Sequence, residues 1–166
     1  MKIRRGINIF GSKLPFVVFY FICFGIFLYN GLATAEAATF EVTNELRIPA
    51  IGLVTDVAKV ELENHQLPTP EYIAGSFSRS KNKTLLFGHS STVFKDLSGV
   101  KVGDDIIYNN TKYYVTNVET LEKELINMNH LLSKEERDTI VLMTCAGQPL
   151  ENRDATHRLI ITAEIQ

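Results

Sequence analysis

Between Asp104 and Leu121 the chain reads DDIIYNNTKYYVTNVETL. Two runs rich in Ile, Tyr and Val flank Asn109-Asn110. Asparagine tolerates the positive φ that a tight hairpin turn needs, so the stretch predicts two antiparallel strands. This feature constrains the fold most, because the rest of the outer part repeats its texture in short pieces. LRIPAIGLVTDVAKV, Leu46 to Val60, is rich in β-branched residues, with Pro49 and Gly52 marking an edge or a bend. KTLLFGHS, Lys83 to Ser90, reads as a short buried strand running into glycine. TIVLMTC, Thr139 to Cys145, and HRLIITAEI, His157 to Ile165, predict two more strands, joined by the polar loop AGQPLENRDAT. Helical signals are sparse. Ser133 with Glu136 fits a capping box opening SKEERD, and Leu121 to Leu132 offers a little more helix. Many short strands with sparse helix predict an all-β barrel or sandwich.

The N-terminus has a different texture. Lys2, Arg4, Arg5 and Lys13 stand among residues 1–13 with no acid, and residues 14–35, LPFVVFYFICFGIFLYNGLATA, carry no charge. A span needs roughly 20 predominantly apolar residues. The basic flank predicts that the N-terminus stays in the cytoplasm and that everything after the span lies outside. The small residues Ala33, Thr34, Ala35 and Ala37 also resemble a cleavage region, so a signal peptide is the rival reading. The expected organisation is a basic tail over 1–13, a transmembrane anchor over 14–35, a linker over 36–45 and an outer domain over 46–166.

A chain of 166 residues with 45% hydrophobic residues is long enough for one packed domain plus such an appendage. A net charge of -2 gives no basic footprint for nucleic acid. The two cysteines, Cys23 and Cys145, stand in contexts too different to predict a disulfide, and no C-x-x-C pair marks a zinc site.

Cys145 therefore raises the chemical question. It stands at the end of an apolar strand, either as a small core residue or as a nucleophile on a rigid support. A thiolate is the reactive form, and it needs a proton carrier nearby and a fixed donor for the oxygen that gains charge. His89, after Gly88 at the end of TLLFG, is the candidate proton carrier; its alternative is a hydrogen-bonded loop histidine. His65, His130 and His157 lie in polar or charged sequence without a strand end. Arg158 opens RLIIT, where strand alternation places a long cation beside apolar surface; its alternative is a snorkelling surface arginine.

Together these residues resemble the sortases, membrane-anchored cysteine transpeptidases of bacterial surfaces. The resemblance covers most of Leu46 to Ile165. The family's T-L-x-T-C strand stands here as Val141-Leu142-Met143-Thr144-Cys145, with valine for the first threonine. Its A-G-H pattern stands as Phe87-Gly88-His89. THRLIITAEI is similar to the family's arginine strand. FKDLSGVKVGDDIIY, Phe94 to Tyr108, is similar to the F-x-x-L…K-x-G-D stretch.

The resemblance implies a closed barrel of about eight strands and cleavage of a sorting signal, commonly Leu-Pro-x-Thr-Gly, in a secreted protein. Cys145 would form the thioacyl intermediate, His89 would act as general acid and base, and Arg158 would hold substrate oxygens and the oxyanion. Phe87, Val141, Met143 and Thr144 would line an apolar groove. The acceptor would be an amine of a cell-wall peptide or a pilin lysine. Asp154 is read as part of a solvated loop rather than as a third catalytic group. Some sortases bind calcium, but the acids Glu119, Glu122, Glu124, Glu135 and Glu136 read as a solvated face, so no metal or other cofactor is expected. A cysteine peptidase hydrolysing similar signals, and a non-catalytic membrane-tethered binding domain on the same fold, are the alternatives. The S-H-G-C type motif of L,D-transpeptidases is absent.

Overall fold

The computed structural model describes residues 40–64, 66–151 and 154–165. The expected tail and anchor, and His65, lie outside them. Among the described residues no helix is long and apolar enough to cross a membrane.

Eight strands run in chain order: β1 Val42–Ile48, β2 Leu53–Lys59, β3 Ala74–Ser80, β4 Lys83–Phe87, β5 Asp105–Tyr108, β6 Thr111–Glu122, β7 Thr139–Pro149 and β8 Ala155–Glu164. They close into a barrel in the spatial order β1-β2-β3-β4-β7-β8-β6-β5. The expected all-β fold is therefore a closed barrel. Two neighbouring pairs, β2 with β3 and β4 with β7, are parallel, and the others are antiparallel.

Local chemistry explains the turns. Asn109 and Asn110 sit at φ 48° and 59°, the left-handed pair that a two-residue hairpin between β5 and β6 requires. Pro49–Ile51 forms one 3-10 turn, and Gly52 at φ 63° ends it, so the bend read at Pro49 and Gly52 joins β1 to β2. SKEERD is not helical. The Ser133 hydroxyl donates to the His130 carbonyl at 2.8 Å, and so serves the end of the short helix α1, Met128–Leu131. The start of α1 is capped by Asn127, whose side chain accepts from the N–H groups of Asn129 and His130. The Glu135 carboxylate reaches the buried Lys83 ammonium at 2.7 Å.

Apolar residues fill two layers. Leu46, Ile48, Val57, Leu86, Ile106, Val115, Ile140, Leu142, Leu159 and Ile161 pack with Phe94 and Leu97 as one cluster inside the barrel. A second cluster, Val60, Leu85, Phe87, Leu132, Val141 and Ile160, lies on the opposite face of β4, β7 and β8, with Leu67, Leu121, Ile126 and Met143 against it. Both faces of β7 are therefore covered. That is why IVLM reads as a continuous apolar run and not as an alternation. Leu142 is fully buried at the centre. Leu142→Ala should cost about 2–5 kcal/mol, read as a lower urea midpoint with an unchanged slope.

Candidate active site

Strand register builds the site. In the parallel pair of β4 and β7, Phe87 lies opposite Met143. Two residues further on, His89 leaves β4 at the level of Cys145. In the antiparallel pair of β7 and β8, Cys145 lies opposite Arg158. Side chains two apart share a face, so Val141, Met143 and Cys145 point away from the interior layer that holds Ile140 and Leu142. Arg158 and Ile160 do the same on β8. The outer layer stops at Met143 and Ile160, and the thiol and guanidinium continue its line into a groove.

Three features hold His89. Gly88 is needed for close approach, since a Cβ there would lie 2.5 Å from Val93 Cγ1. Its φ is not positive, so the steric fit rather than left-handed backbone accounts for the glycine. The His89 carbonyl accepts from the N–H groups of Thr92 and Phe94, and the Phe94 ring is buried in the interior cluster. The Thr144 hydroxyl donates to the Gly88 carbonyl at 2.8 Å, tying the end of β7 to the exit of β4. The imidazole is one-third exposed, and its Nε2 lies 4.0 Å from a carboxylate oxygen of Glu71.

Arg158 is 14% exposed. Its Nη1 donates to the carbonyls of Ala155 and His157 at 3.0 and 2.9 Å, and its Nη2 donates to Asp154 Oδ1 at 2.6 Å. Asp154 Oδ1 also accepts the Ala155 N–H, and Oδ2 pairs with the Lys123 ammonium. The Lys123 contact, the Ala155 N–H and Arg158, in that order, hold the Asp154 carboxyl well below the usual carboxylate range. Asp154 is thus part of the arginine's setting, and the reading of it as a solvated loop residue is corrected.

Two cavities meet here. One, of about 780 Å³, is lined by Leu67, Phe87, Lys123, Met143, Thr144 and Arg158 among others. The other, of about 490 Å³, is lined by Glu71, Ser90, Ser91, Ala146, Gly147 and Pro149 among others. Cys145, His89 and Asp154 border both. Of the residues expected to line the groove, Phe87 and Met143 do so. Thr144 borders it while its hydroxyl is turned to Gly88. Val141 is buried in the outer layer beneath. The Phe87 ring packs over Gly75, where a Cβ would lie 2.6 Å from Cζ. Among the described residues no group of three His, Cys, Asp or Glu side chains is arranged to hold a metal ion.

A partly buried thiol, with a guanidinium opposite it on β8 and an imidazole just past the end of β4, is an arrangement that thiol acyl transfer would need, on a closed β-barrel. The family model for the sortase domain matches residues 46–166, and the chain belongs to the sortase family. That membership supports a cell-wall transpeptidase in general. Solved structures agree on the fold. The chain is similar to a lid mutant of sortase A from Corynebacterium diphtheriae (24% identity, 82% of this chain and 76% of that one, TM-score 0.58). It is similar to sortase A of Listeria monocytogenes (21%, 75% and 87%, TM-score 0.58). It is also similar to the pilus island 1 sortase C2 of group B Streptococcus (20%, 76% and 74%, TM-score 0.56). No curated protein matches the chain by sequence.

Proposed function

We propose that the chain cleaves a sorting signal of the Leu-Pro-x-Thr-Gly kind in secreted proteins and transfers the acyl part to an amine. The observation that supports this reading is that Cys145 lies opposite Arg158 on β8, that His89 follows two residues after the Phe87–Met143 pair of β4 and β7, and that all three line one cavity. The Cys145 thiolate attacks the threonine carbonyl carbon. The oxygen that becomes an oxyanion is held by Arg158, whose planar guanidinium presents its donors in a fixed fork. The C–N bond breaks as His89 gives its proton to the departing amine, leaving a thioester on Cys145. An incoming amine loses a proton to His89, attacks the thioester, and the C–S bond breaks to release the thiolate. Phe87, Met143 and Leu67 supply apolar wall for the leucine and proline of the signal. The acceptor is an amine of a cell-wall peptide or a pilin lysine. Residues 14–35 anchor the protein in the cell membrane with its N-terminus in the cytoplasm, and the barrel acts outside. No cofactor is part of the proposal.

The test is incubation of the full-length protein with a sorting-signal peptide library and an added amine, read by mass spectrometry. Amine-capped fragments and a thioacyl adduct on Cys145 are expected. Hydrolysed fragments alone, at saturating amine, would show a peptidase instead. Fractionation with surface proteolysis tests the topology; a mature chain starting near Glu36 or Ala38, free in the medium, would contradict the anchor.

Arg158→Lys should lower kcat/KM by about 10²–10³-fold, the loss expected when an oxyanion donor goes. An ammonium has three donors on a flexible stem. It cannot hold the carbonyls of Ala155 and His157 and the Asp154 carboxylate while also meeting a substrate oxygen. Near-normal turnover by Arg158→Lys would remove Arg158 from this role.

A further inference from the structure

An arginine at the start of a strand has four side-chain torsions to settle before it can serve an oxyanion. Here its end is gripped from two sides. Nη1 is held by two carbonyls of its own chain segment, and Nη2 by Asp154. Both oxygens of Asp154 are themselves held: Oδ1 accepts the Ala155 N–H, and Oδ2 meets Lys123, from the 3-10 turn that follows β6. The contacts therefore run from the end of β6, through the segment before β8, to the guanidinium beside Cys145. Three of the five N–H donors of Arg158 are used in this way. Nε–H and one Nη2–H have no acceptor among the described residues, and these are the donors left for a substrate oxygen. Lys123 also offsets the charge of Asp154, so the three groups together keep a net positive charge at the groove.

We propose that Asp154, backed by Lys123, is a positioning residue for Arg158, fixing the guanidinium so that its remaining donors face the acyl oxygen. This rests on the sorting-signal reading above. The opposite role is physically distinct: an aspartate that competes with substrate for the guanidinium would slow the enzyme, and its removal would speed it.

The experiment compares full-length wild type, Asp154→Asn, Arg158→Ala and the double variant, with thermal midpoints as the folding control. Turnover of a sorting-signal peptide with an amine should show kcat falling about 10-fold or more in Asp154→Asn, in line with small misplacements of catalytic groups. KM should change less than about 3-fold, and Asp154→Glu should recover part of kcat. In the Arg158→Ala background Asp154→Asn should add less than about 2-fold, because a residue that acts through Arg158 has nothing left to act on. A rise in kcat/KM for Asp154→Asn would overturn the proposal in favour of competition. An undiminished fall in the Arg158→Ala background would overturn it in favour of a structural role.

A second readout needs no peptide substrate. Iodoacetamide alkylation at neutral pH is followed at Cys145 by peptide mapping, which separates it from Cys23. A guanidinium held beside the sulfur steadies the negative charge carried in its attack, so Asp154→Asn should slow alkylation if Arg158 swings away. Removing a negative charge from an unmoved site would quicken it, and that result overturns the inference. Absence of any peptide turnover in wild type would count against the sorting-signal reading alone, with the alkylation rates still deciding the role of Asp154.

Discussion

Cys145→Ala is expected to abolish cleavage of a sorting-signal peptide, by at least about 10⁴-fold, and to remove the thioacyl adduct from the mass spectrum. Cys145 is the free cysteine of the described residues. The neighbouring hydroxyls give no substitute. Thr144 is turned away to the Gly88 carbonyl, and Ser90 and Ser91 follow His89 off β4, outside the strand register that sets Cys145 opposite Arg158. Folding should survive the change, since the side chain is only partly buried and makes no hydrogen bond that holds a strand; the stability change should stay within about 1 kcal/mol. Cys145→Ser adds a sharper comparison. It keeps the shape and a nucleophilic atom, but a hydroxyl is far less acidic and less nucleophilic than a thiol, so Cys145→Ser should be nearly as inactive as Cys145→Ala. Activity in Cys145→Ser near the wild-type level, or cleavage persisting in Cys145→Ala, would move the chemistry to another residue.

The parts of this site that could be read from the sequence are those set by short-range rules. Asn109-Asn110 names its own turn, and a cysteine after an apolar run marks the end of a buried strand. What stayed hidden depends on contacts across the barrel. Strand β3, AGSFSRS, has no clear alternation. It is a strand because Gly75 lies under the Phe87 ring and Ser76 donates to the Ala58 carbonyl at 3.1 Å. Strand β7 runs on to Pro149, into residues that read as a polar loop, because Ala146 and Pro149 still pair with His157 and Ala155. Ser133 and Glu136 fit a helix start by spacing, yet the Ser133 hydroxyl had a nearer acceptor at the end of α1. Val141 shares a face with Cys145, as strand period requires, but depth along the strand decides whether a residue reaches the groove. Asp154 was the costliest to miss. An acid four residues before an arginine looks unremarkable in a loop, and only the fold shows that it meets Arg158 and Lys123 at once.

His89→Ala should lower kcat/KM on a peptide substrate by about 10²–10⁴-fold, the range typical of a positioned general acid. The backbone that carries the imidazole should remain in place. The two N–H groups that bond to the residue-89 carbonyl, the buried Phe94 ring and the Thr144 contact to Gly88 do not depend on the side chain. The thermal midpoint of His89→Ala should therefore stay near that of wild type, and the loss would be chemical. A peptide amine is a poor leaving group unless protonated as the C–N bond breaks. An activated ester carrying the same acyl group leaves without that help. Acylation by the activated ester should then suffer far less in His89→Ala than acylation by the peptide. Glu71 sharpens the comparison. Its carboxylate lies 4.0 Å from Nε2, near enough to orient the ring, so Glu71→Gln should lower turnover of the peptide more than that of the activated ester. Equal losses on both substrates for His89→Ala would mean that the imidazole serves the thiol alone, and proton delivery to the departing amine would have to come from elsewhere in the cavity of Glu71 and Ser90.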